Sequence, residues 1–241
     1  MRRILILISI VLTSSTVHAG DEKPLRVHMV GVGEYKPVES LTEFKSALEK
    51  LYRVDITTSF GKSGKTLPGL EQLKTVDVMV IFVRRTDLPE DQIKFIRAHW
   101  EAGKGIVALR TASHGFQEAD NKTFSQVIGA SYTGPGSYTA PFKAIIAEGQ
   151  AKHPVLKGVG PIASRGVYNF TKLADTATAI QVVESERKIK APATWVNTYK
   201  GGRVVYTSMG SPEDFPSADF RQLLTNAIFW VGQRDADKSK R

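Results

Sequence analysis

Cysteine is absent from all 241 residues. That removes every thiolate mechanism and every disulfide, so the stability of the fold rests on its core. Histidine is nearly as scarce, at five. His18 lies in the leader, and His28, His99, His114 and His153 stand at no recognisable metal-ligand spacing, so the metal is unknown and a divalent ion is left open. The formal charge of +9 is dispersed. No basic stripe with interleaved aromatics and no nucleic-acid motif accompanies it, so no nucleic-acid partner is expected. Gly31-Val32-Gly33 lacks the third glycine of a dinucleotide fingerprint; these glycines serve a tight turn, and no nucleotide cofactor is expected.

Long apolar runs are also missing. The one near the start, Ile4 to Leu12, is about half of the roughly 20 residues that a spanning helix needs. With Arg2 and Arg3 before it and Val17-His18-Ala19 after it, it reads as a secretory signal peptide, residues 1–19, cleaved near Ala19, for a secreted or periplasmic protein with no stable membrane span. Residues 20–233 form a single domain without internal repeat or linker, and 234–241 form a charged tail expected to fray. Nothing in the pattern fixes the oligomeric state.

What is present alternates between strand and helix. Leu25 to Val30 reads as a strand. A helix follows, with Ser40 and Glu43 at capping-box spacing and Leu41, Phe44, Leu48 and Leu51 on one face. Val54 to Thr57, Val78 to Val83 and Ile106 to Leu109 read as further strands, and Leu88 to Ala102 as a helix closed by Gly103. A Gly/Pro/Ser-rich stretch, Ser131 to Pro141, interrupts the pattern. Strands are expected at Phe142 to Ala147, Ala179 to Val183, Thr194 to Tyr199 and Arg203 to Thr207, with a last helix from about Ser217. Such alternation predicts an α/β domain with a mainly parallel sheet.

Ligands of open α/β sheets bind just past the carboxyl ends of the strands, and the polar clusters of this chain lie there. Ile106 to Leu109 stops at Arg110-Thr111-Ala112-Ser113-His114. His114 fits a general base, a metal ligand or a turn-shaping residue. Ser113 lies outside any Gly-x-Ser-x-Gly elbow, and neighbours in a tight turn rarely point at each other. Arg84 and Arg85 follow Val83 and, with Arg110, offer planar donor forks for hydroxyl pairs or carboxylates, unless one pairs with Glu34 or Asp214. Glu34 and Tyr35 close the first strand; Ser211 and Asp214 follow the last and could instead cap the final helix. The catalytic candidates are His114, Glu34 and Asp214. The ligand-binding candidates are Tyr35, Arg84, Arg85, Arg110, Thr111, Ser113 and Ser211. His28 reads as packed or hydrogen-bonded, His99 as solvated, and Trp195 and Trp230 as packing residues. His153 stands before a proline, and its place relative to the elbow is open.

Several segments together resemble the trehalose-utilisation, or ThuA-like, family: Glu34-Tyr35-Lys36, Val80 to Pro89, Ala108 to Phe116, His153-Pro154-Val155, Ala193 to Val196, Gly201 to Gly210, Asp214-Phe215 and Asn226 to Trp230. They keep the family's order over nearly the whole domain, and the chain is similar to its secreted, stand-alone members. The resemblance implies a class I glutamine amidotransferase-like fold, a flavodoxin-like three-layer sandwich. In those amidotransferases the turn after the fourth strand carries a cysteine nucleophile; here it carries Arg110 to His114, which excludes cysteine-dependent glutamine hydrolysis. The family commonly has Gly-His where this chain has Gly210-Ser211, so no acid–base or metal role carries over to that position. The implied function is action on, or binding of, a saccharide or modified (keto or acid) sugar, with hydrolysis, isomerisation and elimination all open. The alternative is a non-catalytic saccharide- or partner-binding module of the cell envelope.

Overall fold

Residue alternation along the central strands explains why they are apolar throughout. In β3 (Val78–Val83), Val78, Val80 and Phe82 enter one core, while Met79, Ile81 and Val83 enter the other. β4 (Gly105–Leu109) divides in the same way, with Val107 and Leu109 on one side and Ile106 and Ala108 on the other. A strand covered on both faces needs no polar side. The computed structural model describes residues 23–136, 140–186 and 191–241. The expected leader and its cleavage site lie outside the described residues.

β1 (Leu25–Val32) is joined through α1 (Pro37–Leu51) to β2 (Val54–Phe60); β3 leads to α2 (Glu90–Glu101) and then β4. α3 (Glu118–Ile128) and β5 (Tyr132–Gly134) precede an antiparallel set: β6 (Pro141–Ile146), β7 (Ile162–Arg165), β8 (Asn169–Phe170), β9 (Thr178–Glu184) and β10 (Pro192–Tyr199). β11 (Gly202–Thr207) and α4 (Ala218–Val231) complete the domain. Among the described residues the main sheet has nine strands, ordered β2-β1-β3-β4-β11-β10-β9-β6-β7, and β5 pairs with β8 beside it. The strands from β2 to β11 run parallel, and the remainder extend the sheet antiparallel. The parallel part has the flavodoxin-like order, with its topological switch point between β1 and β3. α1 and α4 cover one face through Leu41, Phe44, Phe220 and Leu224; α2 and α3 cover the other through Ile93, Trp100, Phe124 and Ile128. The architecture is a three-layer α/β sandwich.

Four local expectations change. α1 starts at Pro37 rather than at a Ser40 cap, because proline lacks the N–H that a first turn leaves unpaired and its φ suits the helix. Ser40 is therefore buried inside the first turn, and Leu51 at the other end is exposed. His99 is buried rather than solvated, its Nε2 lying 3.1 Å from the Gly105 carbonyl. The tail lies against the domain: Arg53 N–H donates to the Ser239 carbonyl at 2.7 Å, and Arg241 N–H to the Leu51 carbonyl at 3.0 Å. α3 was not foreseen, since only Phe124, Ser125, Val127 and Ile128 of it are buried. His28 and Trp195 are core residues as expected, His28 between Thr57 and Ser59 hydroxyls and Trp195 donating to the Ile128 carbonyl at 2.6 Å.

Candidate functional site

Three neighbouring parallel strands end in backbone that side-chain-bearing residues rarely adopt. Of six non-glycine residues with positive φ among those described, four follow β1, β3 and β4: Tyr35 (69°), Lys36 (51°), Arg85 (47°) and Arg110 (46°). Such conformations cost roughly 1–2 kcal/mol per residue and persist only where their surroundings impose them. Gly33, at φ 109°, lets the β1 turn approach β3, since a Cβ there would sit 3.1 Å from Cβ of Arg84. The β3 and β4 turns are tied together. Thr86 donates its N–H and its hydroxyl to the Gly115 carbonyl at 2.7 and 2.8 Å, and Arg85 N–H donates to the His114 carbonyl at 3.3 Å.

These turns and the β5–β8 ribbon surround a cleft of about 220 Å³, lined by Glu34, Tyr35, Arg84, His114, Tyr132, Pro135 and Tyr168. The His114 ring stacks on Tyr132, with centroids 4.1 Å apart, and meets Tyr168 edge-on at 5.6 Å. Its Nδ1 lies 3.1 Å from the Ser113 hydroxyl, so these neighbours do touch within the turn. The Ser113 hydroxyl also lies 3.2 Å from the Arg110 carbonyl, which accepts from Tyr206 at 2.6 Å. Burial, followed by the guanidiniums of Arg84, Arg85 and Arg110, holds the imidazole down at about 4. At neutral pH His114 is therefore uncharged and can accept a proton or a hydrogen bond. Burial raises the phenols of Tyr132 and Tyr168, which stay protonated as donors.

The three arginines differ. Arg84 pairs with Glu34. Arg85 is exposed, and its charge reaches His114 and Tyr132. Arg110 is 1% exposed, with its guanidinium carbon 4.3 Å from the Tyr35 ring centroid and 5.3 Å from that of Tyr168. Its NH1 donates to the carbonyls of Arg165 and Ser208, both at 3.2 Å, and its Nε has no partner among the described residues. Thr111 Oγ1 and Ser211 Oγ nearby are also buried without partners.

The carboxylate of Asp214 turns inward. It accepts from Gly210 N–H at 2.7 Å, Ser211 N–H at 2.9 Å and the Ser164 hydroxyl at 2.9 Å, which makes it the brace of the turn between β11 and α4. Ser217, not Asp214, caps α4 by accepting from Phe220 N–H. The cleft thus unites Glu34, Tyr35, Arg84 and His114 and sets Arg110, Thr111, Ser113, Ser211 and Asp214 behind it, while Arg85 is exposed in the adjoining turn and outside the lining. His153 lies elsewhere, against Trp230. Among the described residues no three His, Asp or Glu side chains converge in a way that could hold a metal ion.

A family model for trehalose utilisation, ThuA, matches residues 31–231. The chain belongs to the ThuA family. A ThuA-like protein from Bacteroides uniformis ATCC 8492 superposes with a TM-score of 0.68 at 16% identity, covering 90% of this chain and 96% of that one. Another, from Parabacteroides merdae ATCC 43184, gives 0.68 at 15%, with 87% and 90% covered. A β-galactosidase from Bacillus circulans sp. alkalophilus gives 0.62 at 13% identity, covering 87% of this chain but 31% of that one. At these identities the likenesses establish the fold. No curated protein matches the chain. No helix among the described residues of this ThuA-family protein is long and apolar enough to cross a membrane.

Three cleft residues, Tyr132, Pro135 and Tyr168, escaped the sequence reading, two of them aromatic. Tyr132 falls in the Gly/Pro/Ser-rich interruption and Tyr168 in an unassigned stretch just before β8. The available signal was a large aromatic in each of two short segments, brought together by the pairing of Tyr132 with Phe170, 38 residues away, which local pattern does not reveal.

Proposed function

We propose that this ThuA-family protein acts on or binds a saccharide, or a keto or acid derivative of one, in the cleft past β1, β3 and β4. The observation that carries the reading is the lining: three tyrosines, an uncharged imidazole and the Arg84–Glu34 pair converge at the switch point of the sheet, with Arg110 buried behind the tyrosines. Aromatic faces suit the C–H faces of a sugar ring, and their polar tips, with Glu34 and the arginines, suit its hydroxyls. A neighbour of this fold that is named as a β-galactosidase acts on a saccharide, which is in keeping with the reading.

In catalysis His114 takes the proton, Glu34 serves as the second acid–base or hydroxyl-binding group, and Arg84, Arg85 or Arg110 stabilises negative charge developing on oxygen. The inward carboxylate of Asp214 and the Glu34–Arg84 pair favour a second reading, a module that binds the sugar without turning it over. The leader sequence supports export to the periplasm or beyond. A thermal-shift screen of the protein from Gly20 onward, against mono- and disaccharides with their keto and acid forms, tests the proposal. A sugar-specific rise in Tm that disappears in Tyr132→Ala supports it; a cooperative melt unmoved by every sugar contradicts it. Turnover lost with binding kept in His114→Ala selects the enzyme over the module.

A further inference from the structure

On the reading that the cleft takes a sugar, we infer that the sugar carries a carboxylate, held by Arg85 of the adjoining turn and drawn by the unpaired charge of Arg110 behind the tyrosines. Arg84 lines this cleft, Arg110 lies behind two of its tyrosines and Arg85 follows Arg84 in the same turn, while Glu34 is the one carboxylate in the lining. Glu34 neutralises Arg84, and Asp214 is occupied by its own turn, so two positive charges are left without an acidic partner among the described residues.

Arg110 is the decisive member. A buried guanidinium is ordinarily compensated by a carboxylate, because desolvating it alone is costly. Here it is 1% exposed, its hydrogen bonds go to two main-chain carbonyls, and its Nε is unpaired. The rings of Tyr35 and Tyr168 cover it and also line the cleft, so its charge lies one ring's thickness from the ligand, in surroundings that screen it weakly. Arg85 is exposed, follows directly on Arg84 of the lining and bonds the His114 carbonyl through its N–H, so in this proposal its fork is the one that meets the carboxylate in the plane. Uncharged His114 and the protonated phenols of Tyr132 and Tyr168 add no negative charge to oppose it.

The test is calorimetric titration of the protein from Gly20 onward with glucuronate and galacturonate, against glucose, galactose, acetate and inorganic phosphate. The expected result is that at least one uronate binds about 10- to 100-fold more tightly than its parent sugar, the span of one charge-assisted hydrogen-bonding contact. Arg85→Gln should reduce that preference to near unity by weakening the uronate far more than the parent sugar, and rising salt should weaken the uronate alone. Arg110→Met, which keeps the buried volume, should lower the preference by a smaller factor. Equal binding of uronates and parent sugars overturns this inference and leaves the saccharide reading standing. Acetate or phosphate binding as tightly as the uronates shows an ion site without sugar recognition and overturns it too. No binding of any sugar overturns both.

Discussion

The two edges of the parallel sheet carry clefts of opposite character. Beside the start of β11, a cleft of about 630 Å³ opens at Arg203, Trp230 and Lys157, almost three times the volume of the one past β1, β3 and β4. Its groups are largely matched to each other. Lys157 and Lys240 both pair with Asp237, Arg203 donates to the Trp230 carbonyl at 3.0 Å while lying over its ring, and Asn226 donates to two carbonyls. At the other end are two cations without carboxylates, three orphaned buried atoms and four strained residues. On the proposed reading, unspent interactions and strain, rather than volume, mark the end that takes the ligand.

That contrast breaks if the two ends respond alike to perturbation. Acid should have the largest effect, and it acts mainly through the core, with His114 in the cleft adding to it in the same direction. Burial holds His28 and His99 at about 4, below the ordinary 6.5. The folded state therefore keeps them neutral, and their contribution, on the order of 3 kcal/mol each, is complete above about pH 6.5 and lost as pH falls towards 4. Urea unfolding between pH 7 and 4 should show this, and His99→Gln should flatten the slope. Next, Asp214→Ala leaves two N–H groups and a hydroxyl without their acceptor and should cost about 3 kcal/mol, read from the denaturation midpoint.

Smaller effects sharpen the comparison. Arg85→Gly relieves left-handed strain and should stabilise by about 0.5–1 kcal/mol while weakening the sugar-acid complex. Arg110→Met should be neutral or slightly stabilising, as replacing an uncompensated buried charge by an apolar side chain often is. A matched change at the far end, Arg203→Met, should instead destabilise by about 1 kcal/mol through its lost hydrogen bond. Lys157→Ala, in an exposed pair, should leave Tm unchanged.

Much of this contrast was legible in the residues, and the limits have physical causes. A strand buried on both faces announces itself by its apolar run, so β3 was read to the residue, and β4 pointed to its own polar turn. α3, with few buried residues, and the two-residue β8 carry too little pattern to be seen. The same limit governs the cleft. Glu34, Arg84 and His114 stand at strand ends and could be named, whereas Tyr132 and Tyr168 enter through a long-range pairing of β5 with β8. That Arg84 rather than Arg110 takes Glu34, and that Asp214 turns inward, depends on backbone geometry beyond residue identity.

The most direct test is hydrogen exchange of the protein with and without the sugar that gives the largest thermal shift. The account predicts slowed exchange across residues 33–36, 84–86, 110–115 and 132–134, with 153–158 and 230–240 unchanged. Protection confined to the second set would place the ligand in the larger cleft and contradict the account.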